Sequence, residues 1–324
     1  MSIEDLIMKT VETLYDKGFE VSRPYVNEKS SINIVARSGN KLLLVKALSN
    51  VDELKTCCTV EIKKASYALR ASPIIVGERE TNEEIDKEAV YEKHGIYIVH
   101  PDALREYLEG RRQYVYYKGG RFYVRIDGEK LRKIRERIGL SLGGLASLLG
   151  VSRKAVYEYE RNEMDATVDV AAKLYEILRE FVGEEEALEA FKPVDILSTV
   201  MEPEVKDYDE ALRGGTKRYK LQEEVALKLL ELGFSVFKFK DAPFNLIAKK
   251  NDDKKKTILI LTVETLSGKS KEEAEILREV AEVAKVGGLV VTRKALHEEE
   301  GVISSKKLEN IVSPDELIEV TSLS

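Results

Sequence analysis

Residues 141–160 read SLGGLASLLGVSRKAVYEYE, a spacing typical of two short helices joined by a turn of about three or four residues. Helices that cross steeply need a small residue at their closest approach, and Ala146 stands there. Gly150 tolerates the positive φ that such a turn requires, and Val156 is placed to plug the space behind it. The stretch therefore predicts a helix-turn-helix.

Two serines add an independent local signal for the same pair of helices. Ser141 and Ser152 each stand directly before a predicted helix, where a hydroxyl can accept a hydrogen bond from an otherwise unpaired backbone N–H. Helical periodicity interrupted by short turns extends on both sides of the stretch. We expect residues 127–192 to form a small all-α bundle.

The flanks of this bundle resemble each other. We call residues 1–110 the first wing and residues 217–324 the second wing; they repeat one pattern at an offset of about 213 residues. Each begins with an amphipathic helix that ends at a glycine and runs into a strand, as LYDKGFEV (14–21) and LLELGFSV (229–236) show. Further strands, a long charged helix and a closing Pro-Asp pair follow in both. The repeat predicts two α/β domains of one fold.

The order of elements in the wings resembles the core of PD-(D/E)xK nucleases, including archaeal Holliday-junction resolvases. Those enzymes hold a divalent cation with an Asp on the second strand and an acid two residues before a Lys on the third. Here the Asp position reads Asn33 in the first wing and Asn245 in the second. The third strands read Leu44-Val45-Lys46 and Thr262-Val263-Glu264. We therefore expect nuclease-like folds without nuclease chemistry; the alternative is two ordinary α/β domains of another lineage.

The helix-turn-helix itself resembles the Cro and phage-repressor (XRE) class, and the whole arrangement is similar to a family of archaeal transcriptional regulators. The class places a glutamine and an acid at the start of the first motif helix, where this chain has Leu142 and Gly143, so one phosphate clamp of the class is missing. The resemblance also implies a structural ion pair between Arg135 and Glu160. We thus expect a multidomain protein: a central all-α Cro/repressor-like helix-turn-helix bundle flanked by two repeated, catalytically degenerate α/β domains of restriction-endonuclease-like fold.

In this class the second motif helix lies in the major groove and reads bases with its exposed N-terminal residues. Arg153 and Lys154 can donate to guanine, Tyr157 can touch a thymine methyl group or a phosphate, and Glu158 can accept from cytosine. The alternative is a solvated helix face. The full set of DNA-contact candidates is Ser141, Ser152, Arg153, Lys154, Tyr157, Glu158, Arg161, Arg121 and Arg125.

The last two candidates lie in a basic segment, YVYYKGGRFYVR (114–125), which predicts a β-hairpin about a Gly-Gly turn. Such a hairpin can follow a phosphate backbone, or it can pack one domain against its neighbour. The expected organisation is then a first wing, a hairpin connector, a helix-turn-helix domain, a linker and a second wing, with boundaries 1–110, 111–126, 127–192, 193–216 and 217–324.

Charge and composition indicate which other kinds of site and which cellular locations the sequence disfavours. Net charge is −6 overall, but residues 1–110, 111–182 and 183–324 carry −4, +5 and −7, so a basic centre lies between acidic wings. Adjacent Cys57 and Cys58 cannot build a disulfide framework, which favours the cytoplasm. Three scattered histidines and the lack of a phosphate-binding glycine loop predict neither a metal site nor a cofactor. The opening MSIEDLIMKT is unlike a signal peptide, and no stretch is apolar enough to span a membrane.

These patterns favour a sequence-specific regulator of transcription that binds double-stranded DNA as a homodimer and is not an enzyme. The wings would supply dimerisation or contacts to partners such as the transcription machinery. Two alternatives remain open at this point: a nuclease or junction resolvase that the helix-turn-helix targets to DNA, and a ligand or redox sensor that uses Cys57 and Cys58.

Overall fold

The computed structural model describes residues 2–81, 83–198, 220–250, 256–293 and 300–321. Most of the predicted linker, including Pro203 and Gly214-Gly215, lies outside these ranges. The described helices are α1 (Ile3–Asp16), α2 (Thr56–Leu69), α3 (Pro101–Leu108), α4 (Gly128–Arg137), α5 (Leu142–Leu149), α6 (Arg153–Glu160), α7 (Val168–Val182), α8 (Glu184–Leu188), α9 (Lys220–Glu231), α10 (Lys269–Ala284), α11 (Ser305–Asn310) and α12 (Pro314–Glu319).

The described strands are β1 (Glu20–Val21), β2 (Ile34–Ser38), β3 (Lys41–Asn50), β4 (Ser72–Glu80), β5 (Glu83–Glu84), β6 (Ala89–Lys93), β7 (Ile96–Val99), β8 (Val115–Lys118), β9 (Arg121–Ile126), β10 (Ala166–Thr167), β11 (Phe191–Lys192), β12 (Ser235–Lys238), β13 (Leu246–Lys249), β14 (Thr257–Val263), β15 (Gly287–Thr292) and β16 (Val302–Ser304).

Contacts divide the chain into two compact units, which differ from the predicted domains. One unit, here the wing unit, combines residues 1–83 with residues 197–324. The other, here the HTH unit, comprises residues 84–196. Residues 84–110, which we expected in the first wing, therefore belong by their contacts to the HTH unit, and both wings contribute to a single wing unit.

The wing unit contains two sheets built in the same way. In the first, β1, β2 and β3 pair antiparallel and β4 joins β3 in parallel after α2 has crossed the sheet. In the second, β12, β13 and β14 pair antiparallel, and β15 joins β14 in parallel after α10. β16 extends this second sheet in parallel. The internal repeat seen in the sequence is thus a repeat of topology.

Each wing helix forms because its apolar residues share one face. α1 begins with a capping box between Ser2 and Asp5 and buries Leu6, Ile7 and Leu14. The helix then ends before Gly18, whose positive φ of 75° turns the chain into β1. The second wing has its own core, in which α9, α11 and α12 cover the central strands.

The HTH unit joins a sheet to a helical bundle. Its strands lie in the order β7-β6-β8-β9-β10, with β11 also paired to β9. β8 and β9 form the predicted hairpin, in which Lys118 lies opposite Arg121. The bundle differs from the all-α prediction because two short segments, β10 and β11, pair with β9 and satisfy backbone groups along that strand. Helices α4–α8 share one apolar core with the hairpin.

No helix within the described ranges is both long enough and apolar enough to cross a membrane.

Candidate nucleic-acid interface

The two motif helices are held at their ends by the residues that the spacing singled out. The Ser141 hydroxyl accepts a hydrogen bond from the Gly144 N–H at 2.9 Å at the start of α5. The Ser152 hydroxyl does the same for the Ala155 N–H at 3.1 Å at the start of α6. Gly150 ends α5 with φ 76°. The turn therefore orients the N-terminus of α6 without strain, since glycine adopts positive φ at little cost.

Behind the turn, a bidentate ion pair ties α4 to α6. Arg135 donates to the two carboxylate oxygens of Glu160 at 2.5 and 3.1 Å, and also to the Leu140 carbonyl at 2.7 Å. Hydrogen bonding to Glu160 raises the pKa of Arg135. Both side chains are more than nine-tenths buried. A buried pair with its donors satisfied fixes the angle between helices and leaves little for DNA.

Gly128 was missed by the sequence reasoning, although it controls how α4 meets α6. A Cβ at this position would lie 2.4 Å from the Glu160 carbonyl oxygen. That clash is with backbone, which cannot move aside without displacing α6. The signal in the sequence is weak, because Gly128 sits at the first position of a helix, where many residue types are tolerated.

The exposed face of α6 carries the predicted base-contact residues. Lys154 is 82% exposed and lies 3.4 Å from the Glu158 carboxylate one turn later. Tyr157 is 47% exposed, and its hydroxyl accepts from Arg161 at 2.9 Å. Arg161 donates in turn to Glu163 at 2.7 Å. Four of the candidates are thus tethered on the helix surface by their neighbours.

Arg153 differs from these neighbours. It is exposed at the first position of α6 and has no ion pair or side-chain hydrogen bond with any residue in the described part of the chain. Its five donors are available to a ligand. A planar, unengaged guanidinium at the N-terminus of a helix is the group best suited to bidentate recognition of a guanine edge or a phosphate.

The hairpin places its two candidate arginines in different settings. Arg125 donates to the Tyr97 hydroxyl at 2.7 Å and stacks over the rings of Tyr97 and Tyr116. These contacts favour a structural role for Arg125. The pairing of β10 and β11 with β9, the strand that carries Arg125, favours the same role. Arg121 is exposed, but it lines a cavity of about 630 Å³ together with three acids, Asp86, Glu88 and Asp169. Those carboxylates disfavour a phosphate there.

The basic segment from Arg111 to Arg137 is largely neutralised by acids, some within the segment and some from elsewhere in the fold. Lys118 pairs with Glu92 at 2.7 Å and Lys130 with Glu189 at 2.5 Å. Other ion pairs made by basic residues of this segment are Arg132–Glu136, Lys133–Glu129, Arg137–Glu186 and Arg111–Glu106. The excess positive charge of the sequence therefore does not form a continuous cationic surface, and the α6 face is the more specific candidate.

The asparagines at the positions where the nuclease family has its Asp bind the backbone here. The Asn33 Oδ1 accepts from the Ala47 N–H at 3.0 Å, and its Nδ2 donates to the Tyr25 and Asn27 carbonyls. The Asn245 Oδ1 accepts from the Thr262 N–H at 2.7 Å and from the Thr262 hydroxyl at 3.1 Å. Each amide pins the second strand to the third, a role in which the amide nitrogen of Asn33 could not be replaced by a carboxylate oxygen.

Matching hydrogen bonds also correct the alignment of the third strands. The Asn33 N–H donates to Val45 and the Asn245 N–H donates to Ile260, both at 2.8 Å. Leu44-Val45-Lys46 therefore corresponds to Leu259-Ile260-Leu261, and the Thr262-Val263-Glu264 assignment was wrong. The error arose because sequence similarity is weak in the turns between these strands, whereas the hydrogen-bond register depends on the strands themselves.

Lys46 lies where the nuclease family has its lysine, and it is buried. It is 2% exposed, and its Nζ donates to the Glu28 carbonyl at 2.9 Å. Burial lowers its pKa. Within the described residues, no group of three or more His, Cys, Asp or Glu side chains is arranged to hold a metal ion.

The two cysteines near Lys46 have different exposure. Cys57 is exposed, and Cys58 is half-buried. Burial raises the pKa of Cys58 to about 11. A thiol with so high a pKa carries very little thiolate at neutral pH, which disfavours a redox or nucleophilic role.

Comparison with known proteins agrees with both folds. Residues 3–113 match the model of the PD-(D/E)XK superfamily domain, and residues 131–180 match a helix-turn-helix model. No solved structure matches the chain.

Full-length relatives occur in archaea. One from Thermococcus gammatolerans, named "Putative HTH-type transcriptional regulatory protein", is 35% identical over 324 residues, which cover 99% of this chain and 96% of the relative. A similarly named relative from Methanocaldococcus jannaschii is 33% identical over 320 residues, covering 98% of this chain and 95% of the relative. Another from Pyrococcus horikoshii is 36% identical over 294 residues, covering 89% and 88%.

Proposed function

The chain belongs to this archaeal family of HTH-type transcriptional regulatory proteins, and from that premise we propose that it binds specific DNA sequences with α6 in the major groove. The observation that carries the proposal is the unengaged guanidinium of Arg153 at the N-terminus of a helix whose angle is fixed by the turn and by the Arg135–Glu160 pair. The helix is thus oriented in advance, which lowers the ordering cost of binding.

Within this proposal the residues of the α6 face have separate roles. Arg153 reads a base edge. Lys154 exchanges its partner Glu158 for DNA, and Glu158 then accepts from a cytosine amino group. Tyr157, whose hydroxyl already accepts from Arg161, offers its own proton to a phosphate or a base acceptor. The capped N-termini at Ser141 and Ser152 direct backbone N–H groups toward the phosphates.

We also propose that two copies act together on DNA. One bundle contacts only a few base pairs, and paired half-sites about one helical turn apart are the usual way in which this class gains affinity and specificity. The wings then do not contact the DNA, because their net charge is negative and the phosphates repel them. Contacts to the transcription machinery would use their outer surfaces.

Arg153→Ala tests base reading once a preferred site has been selected from random duplexes. We expect a loss of about 1 to 3 kcal/mol on the preferred site and a smaller loss on random DNA, since one bidentate base contact disappears. Arg121→Ala is the matched control, an exposed arginine on the hairpin that should change specific binding little. Equal losses on both DNAs would make Arg153 a phosphate contact and contradict its assignment.

The PD-(D/E)XK match keeps a nuclease as the second candidate, and we propose that the chain lacks this activity. The carboxylate positions hold Asn33, Leu44, Asn245 and Leu259, none of which can replace an Asp or Glu as a ligand of a divalent cation. With Mg²⁺ or Mn²⁺, purified protein should leave duplex, single-stranded and four-way DNA intact. Cleavage that persisted through repurification and was lost in Lys46→Ala would establish the enzyme instead.

A further inference from the structure

The cavity of about 630 Å³ in the HTH unit lies on one face of its sheet, beside the first turn of α7. Ala89 of β6 pairs in register with Val115 of β8, and Phe122 of β9 falls on the same face because strand residues alternate. Val168, the first residue of α7, completes an apolar floor. A volume of this size is in the range of cavities that hold small molecules.

Phe122 is the largest apolar group that lines this cavity, and its neighbours hold it in place. Its ring lies 4.9 Å from the Tyr117 ring and 6.4 Å from the Tyr91 ring, centroid to centroid. The side chain is nevertheless 37% exposed. An exposed ring with a fixed position offers apolar surface to methylene groups and its π face to a cation.

Four charged side chains line the same cavity, and within the described ranges none of them forms an ion pair: Asp86, Glu88, Arg121 and Asp169. Neighbouring charges of the hairpin behave differently, since Lys118 pairs with Glu92 at 2.7 Å. The three carboxylates and the guanidinium therefore share one cavity without bridging one another. A ligand that carries charges of both signs can satisfy them.

The sheet separates these charges into two groups. Its strands lie in the order β6-β8-β9-β10, with Asp86 and Glu88 just before β6 and Asp169 just after β10. Three strand spacings place the two sides about 14 Å apart along the backbone. Side chains that reach inward, with a hydrogen bond at each end, reduce this gap to the length of a short aliphatic chain. Arg121 begins β9, which pairs with β10, and so belongs to the Asp169 side.

The N-terminus of α7 adds a site for an anion on that same side. Thr167 precedes the helix, but its hydroxyl accepts no hydrogen bond from the first turn. The backbone N–H groups of that turn therefore have no side-chain cap, and a carboxylate is favoured at the positive end of a 15-residue helix. Arg121 and this helix end together favour an anion beside the cation that Asp169 requires.

We propose that this cavity binds a basic amino acid of the lysine, ornithine or arginine type. The cation of the ligand's side chain lies against Asp86 and Glu88. Its methylene chain covers the apolar floor beside Phe122. Its α-carboxylate meets Arg121, and its α-ammonium meets Asp169. A diamine would leave the guanidinium without a partner, and a neutral amino acid would leave the two acids before β6 without one.

Isothermal titration calorimetry of the full chain with L-lysine, L-ornithine and L-arginine tests this proposal. We expect saturable binding of at least one of them with one site per chain. Norleucine lacks the side-chain cation of lysine, and cadaverine lacks its carboxylate. Each should bind about tenfold more weakly or less, because one charge-assisted contact is lost. Titration needs no DNA, so its failure would leave the proposed DNA-binding function untouched.

Two variants assign the ends of the ligand. Glu88→Gln should weaken binding of the basic amino acid about tenfold and leave norleucine unaffected, whereas Arg121→Gln should remove the preference for lysine over cadaverine. Glu185→Gln, an exposed acid of α8 outside the cavity, is the matched control. All three residues are exposed, and unchanged midpoints of thermal unfolding would confirm that the variants fold. Absence of saturable binding, cadaverine as tight as lysine, or a Glu88→Gln variant no weaker than Glu185→Gln would overturn the proposal.

Discussion

The two wings share a fold and differ in the chemistry of a few matched positions. Asn33 and Asn245 each accept a hydrogen bond from a backbone N–H of the third strand, and the third strands keep the same register. At two other matched places the wings differ. Lys46 of the first wing corresponds to Leu261 of the second, and Lys64, six residues before the left-handed residue that ends α2, corresponds to Glu279 of α10. The amide that joins the second strand to the third is thus the same in both copies, while the charges at these other positions differ.

Large effects are expected from removing the shared amides. Asn33→Ala leaves the Ala47 N–H without its partner in a buried place, and Asn245→Ala does the same for the Thr262 N–H in a partly buried one; each should lower the free energy of unfolding by about 1 to 3 kcal/mol. Denaturant titration measures both. Replacing each asparagine with Asp sharpens the comparison. The free energy of unfolding should fall more for Asn33→Asp, which loses two donated hydrogen bonds, than for Asn245→Asp. In the described residues, the side-chain hydrogen bonds of Asn245 all use Oδ1. Equal costs would contradict this distinction.

Two buried cations at matching register, Arg37 on β2 and Lys249 on β13, should contribute unequally to stability. Arg37→Met removes two charge-assisted hydrogen bonds to buried carbonyls, with an expected loss of about 2 to 3 kcal/mol. Lys249→Met removes the cation over Tyr67, and we expect a loss of about 1 kcal/mol. Thermal and denaturant unfolding of both variants provide the measurement. A larger loss for Lys249→Met than for Arg37→Met would contradict this ranking.

Lys46 tests the cost of burying a lysine at the position where the nuclease family has its own. Burial lowers its folded-state pKa below the ordinary value of 10.5, so the folded protein binds this proton less tightly than the unfolded chain. The resulting destabilisation is complete below the folded pKa and fades as pH rises toward 10.5. Lys46→Met should therefore stabilise the protein by about 1 kcal/mol at pH 7 and by less at pH 10. Leu261→Met in the second wing is the control, which should show no such pH dependence.

The smallest effect concerns the cysteines, which occur only in the first wing. With its pKa raised to about 11, Cys58 should react with a thiol reagent at pH 7 far more slowly than exposed Cys57. Labelling rates of the Cys57→Ser and Cys58→Ser variants separate the two thiols. Unfolding should make Cys58 react as fast as Cys57. Fast labelling of Cys58 in the folded protein would revive the redox-sensor alternative.

Local chemistry made the helix-turn-helix predictable. Small, turn-forming, capping and apolar residues occur in an order that few other structures use, and Ser141, Gly150 and Ser152 act in the structure as local caps and a turn. The asparagines at positions where the nuclease family has an acid were also visible, because strand alternation places each residue on a known face. The register of the second wing's third strand was not visible in the sequence. That strand can be aligned with the nuclease motif in more than one way without changing its apolar pattern.

The role of the basic segment depended on contacts distant in sequence. Counting charges along Arg111–Arg137 predicted a cationic surface, but Glu92, Glu186 and Glu189 approach it only after folding. Arg125 likewise gains its aromatic partners from Tyr97 and Tyr116. Periodicity and composition report on neighbours within a helix or strand, and they carry no information on which distant acid meets which base.

The sequence by itself determined that this protein has a helix-turn-helix, two wings of one fold, and amides where the nuclease family has acids, since each follows from spacing, capping and alternation over short stretches. Only the tertiary structure decided that the wings pair with each other within the chain, that Arg153 is unengaged on α6, and that Lys46 is bound to a carbonyl. Those facts depend on which surfaces meet. Equivalent faces of a repeat look alike in sequence, and only folding brings Arg23 of the first wing against Glu275 and Glu279 of the second.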